Sequence, residues 1–167
     1  MENTSTDFKE LFEKYSDDVY RFSFWLCGDS SVAKDIASET FVRAWTSDAP
    51  IRFETVKAYL LAIARNLYLH EIRRTRKNIP LDLEAPDPSP LPDTIAGERM
   101  ELDATVKALD RLPELDRSIL LMRAQDGLSY DEIAQATGLS VPVIKVKIFR
   151  ARAKLTALTQ IHKGATR

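Results

Sequence analysis

A chain of 167 residues, 44% of them apolar, has enough hydrophobic material for one ordinary core or two small ones. No apolar run approaches the roughly 20 residues that span a bilayer, and the polar stretch Met1–Asp7 lacks the apolar core of a secretory signal, so a cytoplasmic protein without membrane insertion is expected. The net charge of −1 conceals a segregation: residues 51–77 carry seven bases against two acids, 78–98 five acids and no base, and 140–167 seven bases and no acid. A tail that long without an acid suits nucleic acid better than it suits the mixed face of a solvated helix.

Phe8, Leu11, Phe12, Tyr15, Val19, Phe22 and Leu26 recur at three- and four-residue steps and predict one helix with a single buried stripe. Cys27, the sole cysteine, excludes an intrachain disulfide and reads as a small core side chain. Gly28-Asp29-Ser30 interrupts the pattern. A second helix is predicted from Ser31 to about Thr46, on Val32, Ile36 and Phe41. Asp35 and Glu39 lie four apart in it, so they share a face and suit pairing with basic residues of a partner. Phe41 is assigned to the core, whereas Trp45 fits core packing and partner contact equally well. Asp48-Ala49-Pro50 reads as a loop, and a third helix is predicted from about Glu54 to Arg76 on Val56, Leu60, Ile63, Ala64, Leu67 and Ile72.

Residues 78–98 hold five of the chain's eight prolines together with their five acids. Repeated proline excludes helix and like charge discourages collapse, so an extended linker between two domains is predicted. Helices resume near Arg99, first on Leu102, Val106, Leu109 and Leu112, then from Pro113 on Ile119, Leu120 and Met122.

The sharpest local signal is 128–155. Ser129 and Glu132 have the spacing of a capping box, which starts a helix. Gly138 stands where a left-handed residue stops it. Ser140 is placed to cap the next helix, with Pro142 tolerated in its first turn. Ile144, Ile148, Ala151, Leu155 and Leu158 then form an inner stripe, and Lys145, Lys147, Arg150, Arg152 and Lys154 an outer basic face. A short capped helix, a glycine turn and a basic amphipathic helix make up the helix-turn-helix plan. Val143 and Val146 on the second helix suit thymine methyl groups, while Lys145 and Arg150 suit guanine or phosphate and Lys147 suits phosphate.

In this order the segments resemble the extracytoplasmic-function sigma factors of RNA polymerase. Asp35–Trp45 is similar to the family's polymerase-binding helix, and Tyr59–Asn66 with Arg73-Arg74 to its promoter-melting helix. Leu112-Pro113 through Arg117, Gly127–Ala134 and Arg150–Leu155 resemble its C-terminal domain. The resemblance implies an all-α fold of two small helical domains, 1–77 and 99–167, joined by the linker 78–98. It implies binding to core RNA polymerase through Asp35, Glu39 and Trp45, and to promoter DNA, with an anti-sigma factor as a further partner. Arg65, Arg73, Arg74 and Lys77 would contact phosphates. Arg52, Phe53 and Asn66 would hold an unstacked base, although Phe53 fits a loop anchor equally well.

Lys34 and Ser38 stand where the family has an acid and a glutamine, and a phosphate on Ser38 or Thr40 would restore an acidic face. An operator-binding regulator with a sensing or dimerising first domain is the alternative, although the sequence shows neither a ligand pocket nor a dimer seam. His70 and His162 lack metal-ligand spacing, and no phosphate-cradling loop or nucleophile motif is present. No metal, no cofactor and no catalytic residue is therefore expected. Limited proteolysis of the free protein should cut first within 78–98 and leave two helical fragments, as read by mass spectrometry of the early products.

Overall fold

The computed structural model describes residues 2–47, 55–78 and 96–165, with side chains described for 7–47, 55–75 and 102–160. Among the described residues there are seven helices and no strand: α1 Glu2–Cys27, α2 Ser30–Thr46, α3 Val56–Asn78, α4 Ala96–Asp110, α5 Glu114–Ala124, α6 Tyr130–Thr137 and α7 Val141–Ala165. The chain divides into two compact units, Met1–Pro88 and Ser89–Arg167.

In the first unit α1, α2 and α3 pack against one another. Val19, Phe22 and Leu26 of α1 are buried with Ile36 and Phe41 of α2 and Leu60, Leu61 and Ala64 of α3. The sequence break at 28–30 becomes a tight corner. Gly28 takes a left-handed φ of 73°, and its amide donates to the Phe24 carbonyl at 2.7 Å. Extended Asp29 then caps α2, its carboxylate accepting from the amides of Ser31 at 2.8 Å and Val32 at 3.1 Å. Two hydroxyls are buried in this core without cost in unmade bonds. Ser23 donates to the Val19 carbonyl and Thr40 to the Ile36 carbonyl, each at 2.7 Å. Aromatic rings lock the free ends of α1 and α2: Phe12 meets Phe41 edge-on at 5.0 Å, and Phe8 meets Trp45 at 4.8 Å. Phe41 is buried as the periodicity predicts, whereas Phe12 keeps one face open to solvent.

Helix α3 runs through Asn78, one residue into the stretch read as linker, and α4 begins at Ala96 and takes in its last three. The prolines explain the limits: Pro80 disfavours helix at Ile79, and no proline lies between Pro92 and Ala96. The extended conformation expected for 79–95 lies outside the described residues.

In the second unit α7 packs on α4, α5 and α6 in turn. Pro113 occupies the N-cap of α5, whose Ile119, Leu120, Leu121 and Met122 are buried. The capping box of α6 is complete: the Glu132 amide donates to Ser129 Oγ at 3.1 Å, and the Ser129 amide to Glu132 Oε2 at 2.9 Å. Gly138 ends α6 at φ 77°, ψ 9°, with its amide donating to the Ala134 carbonyl. The Ser140 carbonyl accepts the first bond of α7, from the Ile144 amide at 3.0 Å. Ile144, Ile148 and Ala151 are buried, which sets the inner face of α7.

A Cβ added at Gly138 would meet no atom within 4 Å. Gly138→Ala should therefore destabilise only through its backbone, by about 1 kcal/mol. Ile144→Ala, which empties a fully buried site, should cost about 2–5 kcal/mol. Urea unfolding of both variants measures the contrast.

Candidate nucleic-acid interface

Burying Ile144 and Ile148 turns their neighbours outward, because successive residues of a helix are rotated by about 100°. Val143, Val146 and Phe149 therefore form a ridge at three-residue steps, 41%, 47% and 76% exposed. Lys145, Arg150, Arg152 and Lys154 are exposed around it. Among the described residues Arg150, Arg152 and Lys154 form no ion pair. Phe149 is the ridge's largest member and was not among the residues singled out from sequence. Its signal was available: Ile148 fits the inner stripe, so the adjacent ring had to lie off it.

Two of the expected outward bases have partners inside the unit. The Lys145 ammonium lies 5.2 Å from the centre of the Tyr130 ring, and the Arg123 guanidinium 4.4 Å from the same ring. Arg123 also donates from Nη1 to the Leu128 carbonyl at 2.9 Å. Tyr130 thus gathers one cation from α5 and one from α7. Lys147 departs from the outer face on which its spacing placed it. Its Nζ donates to Asp116 Oδ1 of α5 at 3.2 Å, and both side chains are largely covered. Position 147 lies beside Ile148 on the flank of the buried stripe, within reach of the packed helix.

In the first unit Asp35 and Glu39 line one groove of about 440 Å³ between α2 and α3, together with Val42, Leu67, Glu71 and Arg74. Glu39 is already held by Arg43 Nε at 3.2 Å, and Glu71 by Arg74 Nη2 at 3.4 Å. Asp35 makes no ion pair among the described residues. A second groove, which shares Glu39, Leu67, Glu71 and Arg74 with the first, is lined also by Arg43, His70 and Arg73. Asn66, Arg73 and Arg74 are exposed and Arg65 is half-buried. Trp45 keeps 44% of its surface open beside Phe8. Lys34 is exposed, and Ser38 is exposed on the groove wall. Thr40 corrects an expectation: it is fully buried with its hydroxyl on the Ile36 carbonyl, so it is no acceptor for phosphate in the folded chain. Arg52 and Phe53, and the side chain of Lys77, lie outside the described residues. Among the described residues no cluster of His, Cys, Asp and Glu stands close enough to hold a metal ion. No described helix is long and apolar enough to cross a membrane.

Two family models match the chain in order: sigma-70 region 2 over residues 11–78, and sigma-70 region 4 over 102–155. The ECF RNA polymerase sigma factor SigE of Mycolicibacterium smegmatis is 31% identical over 94% of this chain. The chain spans 63% of the length of that relative. The ECF RNA polymerase sigma factor EcfG of Rhodopseudomonas palustris is 31% identical over 84% of this chain and 78% of its own length. The chain belongs to the ECF sigma factors. Among solved structures, the sigma factor RpoE of Bartonella quintana, in complex with the anti-sigma factor NepR, is similar at a TM-score of 0.74. That likeness is 25% identical and covers 93% of this chain and 98% of RpoE. The region 4 match of this sigma factor takes in α5, α6 and most of α7, and so the whole helix-turn-helix with its ridge.

Phe149→Ser removes a ring that is mostly in water. It should leave the unfolding free energy of this sigma factor within about 0.5 kcal/mol of the parent, measured beside Ile144→Ala in the same urea titration.

Proposed function

We propose that the chain binds core RNA polymerase and directs it to specific promoters. The observation that carries this reading is the order of the two family matches, region 2 on α1–α3 and region 4 on α4–α7. It acts by binding, and no catalytic step is assigned to its side chains.

Helix α7 enters the major groove of duplex promoter DNA. Arg150, with Arg152 and Lys154 behind it, neutralises phosphates, and Lys145 serves a phosphate or a guanine edge. Val143 and Val146 present methyl groups, the complement of the thymine methyl. Helix α3 works on the opened upstream promoter element: Arg65, Arg73, Arg74 and Lys77 hold the backbone, and Asn66 with Arg52 and Phe53 holds an unstacked base. Polymerase is met by Asp35, Glu39 and Trp45 of α2. Charge at such a surface governs association rate and register as well as affinity. An anti-sigma factor is a further partner, a reading supported by the neighbour RpoE, solved with its own.

Retention of core polymerase on the immobilised chain tests the first half of this reading, and run-off transcription from promoters selected by the complex tests the second. A chain that retains no polymerase would sink it. Asp35→Ala should weaken core binding more than Glu39→Ala, because Arg43 already neutralises part of the Glu39 charge. Val146→Ser should change base preference at one position of the selected promoter, by roughly 1–3 kcal/mol if the contact is direct. An unchanged preference would make the valine structural.

A further inference from the structure

Helix α5 packs on α7, and Ile119 and Met122 of the first and Ile144 and Ile148 of the second are all buried. Apolar contact is non-directional, so it selects the inward face of α7 but resists a small roll of the helix less sharply than a directional bond does. A hydrogen-bonded ion pair is directional and opposes it strongly. Lys147 and Asp116 supply that element, 31 residues apart in sequence and 3.2 Å apart in space. Lys147 also sits on the flank of α7, between the buried stripe and the ridge Val143–Val146–Phe149. Its distance from Asp116 is therefore sensitive to the rotation of α7 about its own axis. Side chains on a helix reach about 5–6 Å from that axis, so a roll of 20° moves them by roughly 2 Å. That is enough to break the pair, and enough to shift the ridge from one base edge toward the next.

We infer that Asp116 is a positioning residue: through Lys147 it fixes the roll of α7 and so decides which bases the ridge meets. The inference rests on the reading of α7 as the promoter-reading helix. Polar pairs in apolar interfaces are better attested as setters of register than as sources of stability. The pair belongs in that class, since both partners are partly wetted. The competing role for Lys147 is that of a phosphate ligand, with Asp116 as its rival for the same ammonium. The two roles make opposite statements about Asp116. As a positioning residue it sharpens discrimination, and as a rival it weakens all binding alike.

The test uses the full chain assembled with core RNA polymerase and duplexes selected from a random library. It compares the parent with Asp116→Asn, Lys147→Met and the exchanged pair D116K/K147D. For each, the affinity ratio between the selected site and single-mismatch sites is measured, together with the salt dependence of binding. Each single variant should reduce the mismatch ratio by about fivefold, the lower end of the usual cost of one mismatch. The slope of log affinity against log salt should hardly change, and the exchanged pair should recover most of the ratio. Two results would overturn the inference while leaving the promoter-reading role intact. One is an unchanged ratio in both single variants. The other is tighter binding by Asp116→Asn at every site, with a slope steeper by about one unit, the mark of one added phosphate contact. A parent complex that enriches no sequence would remove the promoter-reading role, and the inference with it.

Discussion

Helix α7 has to satisfy two environments at once. Its inner side belongs to the core of the second unit, where Ile144, Ile148 and Ala151 meet three other helices. Its outer side carries valines, a phenylalanine and free bases into water. Neither side can be altered alone, because a helix presents its residues at fixed angles. The capping box at Ser129, the left-handed Gly138 and the carbonyl of Ser140 serve this division by fixing where α6 stops and α7 starts. A start one residue earlier or later would turn the buried stripe by about 100° and present a different set of side chains. The set of residues proposed to read DNA is thus selected from beneath, by aliphatic packing, which leaves only a small roll for the Lys147–Asp116 pair to fix.

Charge follows a different logic in the two units. On α7, Arg150, Arg152 and Lys154 stand without an acid beside them, so their field reaches outward and is available to a polyanion. In the α2–α3 grooves acids and arginines interleave, and Glu39–Arg43 and Glu71–Arg74 are paired on their own helices. Exposed pairs of this kind contribute little stability. Their effect is to shorten the range of the field, so a partner there is recognised at contact rather than from a distance. Asp35 is the carboxylate of that groove whose charge is not spent within its helix.

The all-helical fold and its helix-turn-helix were legible because their signals are local. The stripe of α1, the Ser129–Glu132 spacing and the glycine at 138 each lie within a few residues, and each has a direct geometric consequence. What escaped the sequence depends on packing partners far along the chain. Spacing put Lys147 on the outer face, and only the approach of Asp116 from α5 shows that it is tied inward. Thr40 reads as a polar residue in an exposed-looking run, yet the packing of α2 seals it and its own helix takes its hydroxyl. Asp29 appeared only as part of a break and is in fact the residue that starts α2. Phe149 was legible in principle and overlooked, since a ring next to an aliphatic stripe is easily counted as part of it.

The placement of the tryptophans gives the first unit an optical signal that the second lacks. Both tryptophans, Trp25 and Trp45, fall in the first unit, and Trp45 touches Phe8 while remaining half open to water. The second unit has no tryptophan and a single tyrosine, Tyr130, whose ring lies against the cations of Arg123 and Lys145. Excitation at the red edge therefore reports on α1–α3 alone. Tyrosine absorbance belongs to both units, since Tyr15, Tyr20, Tyr59 and Tyr68 lie in the first. The first unit thus carries an indole, Trp45, at the surface where polymerase is expected, and its emission follows that surface separately from the helix-turn-helix.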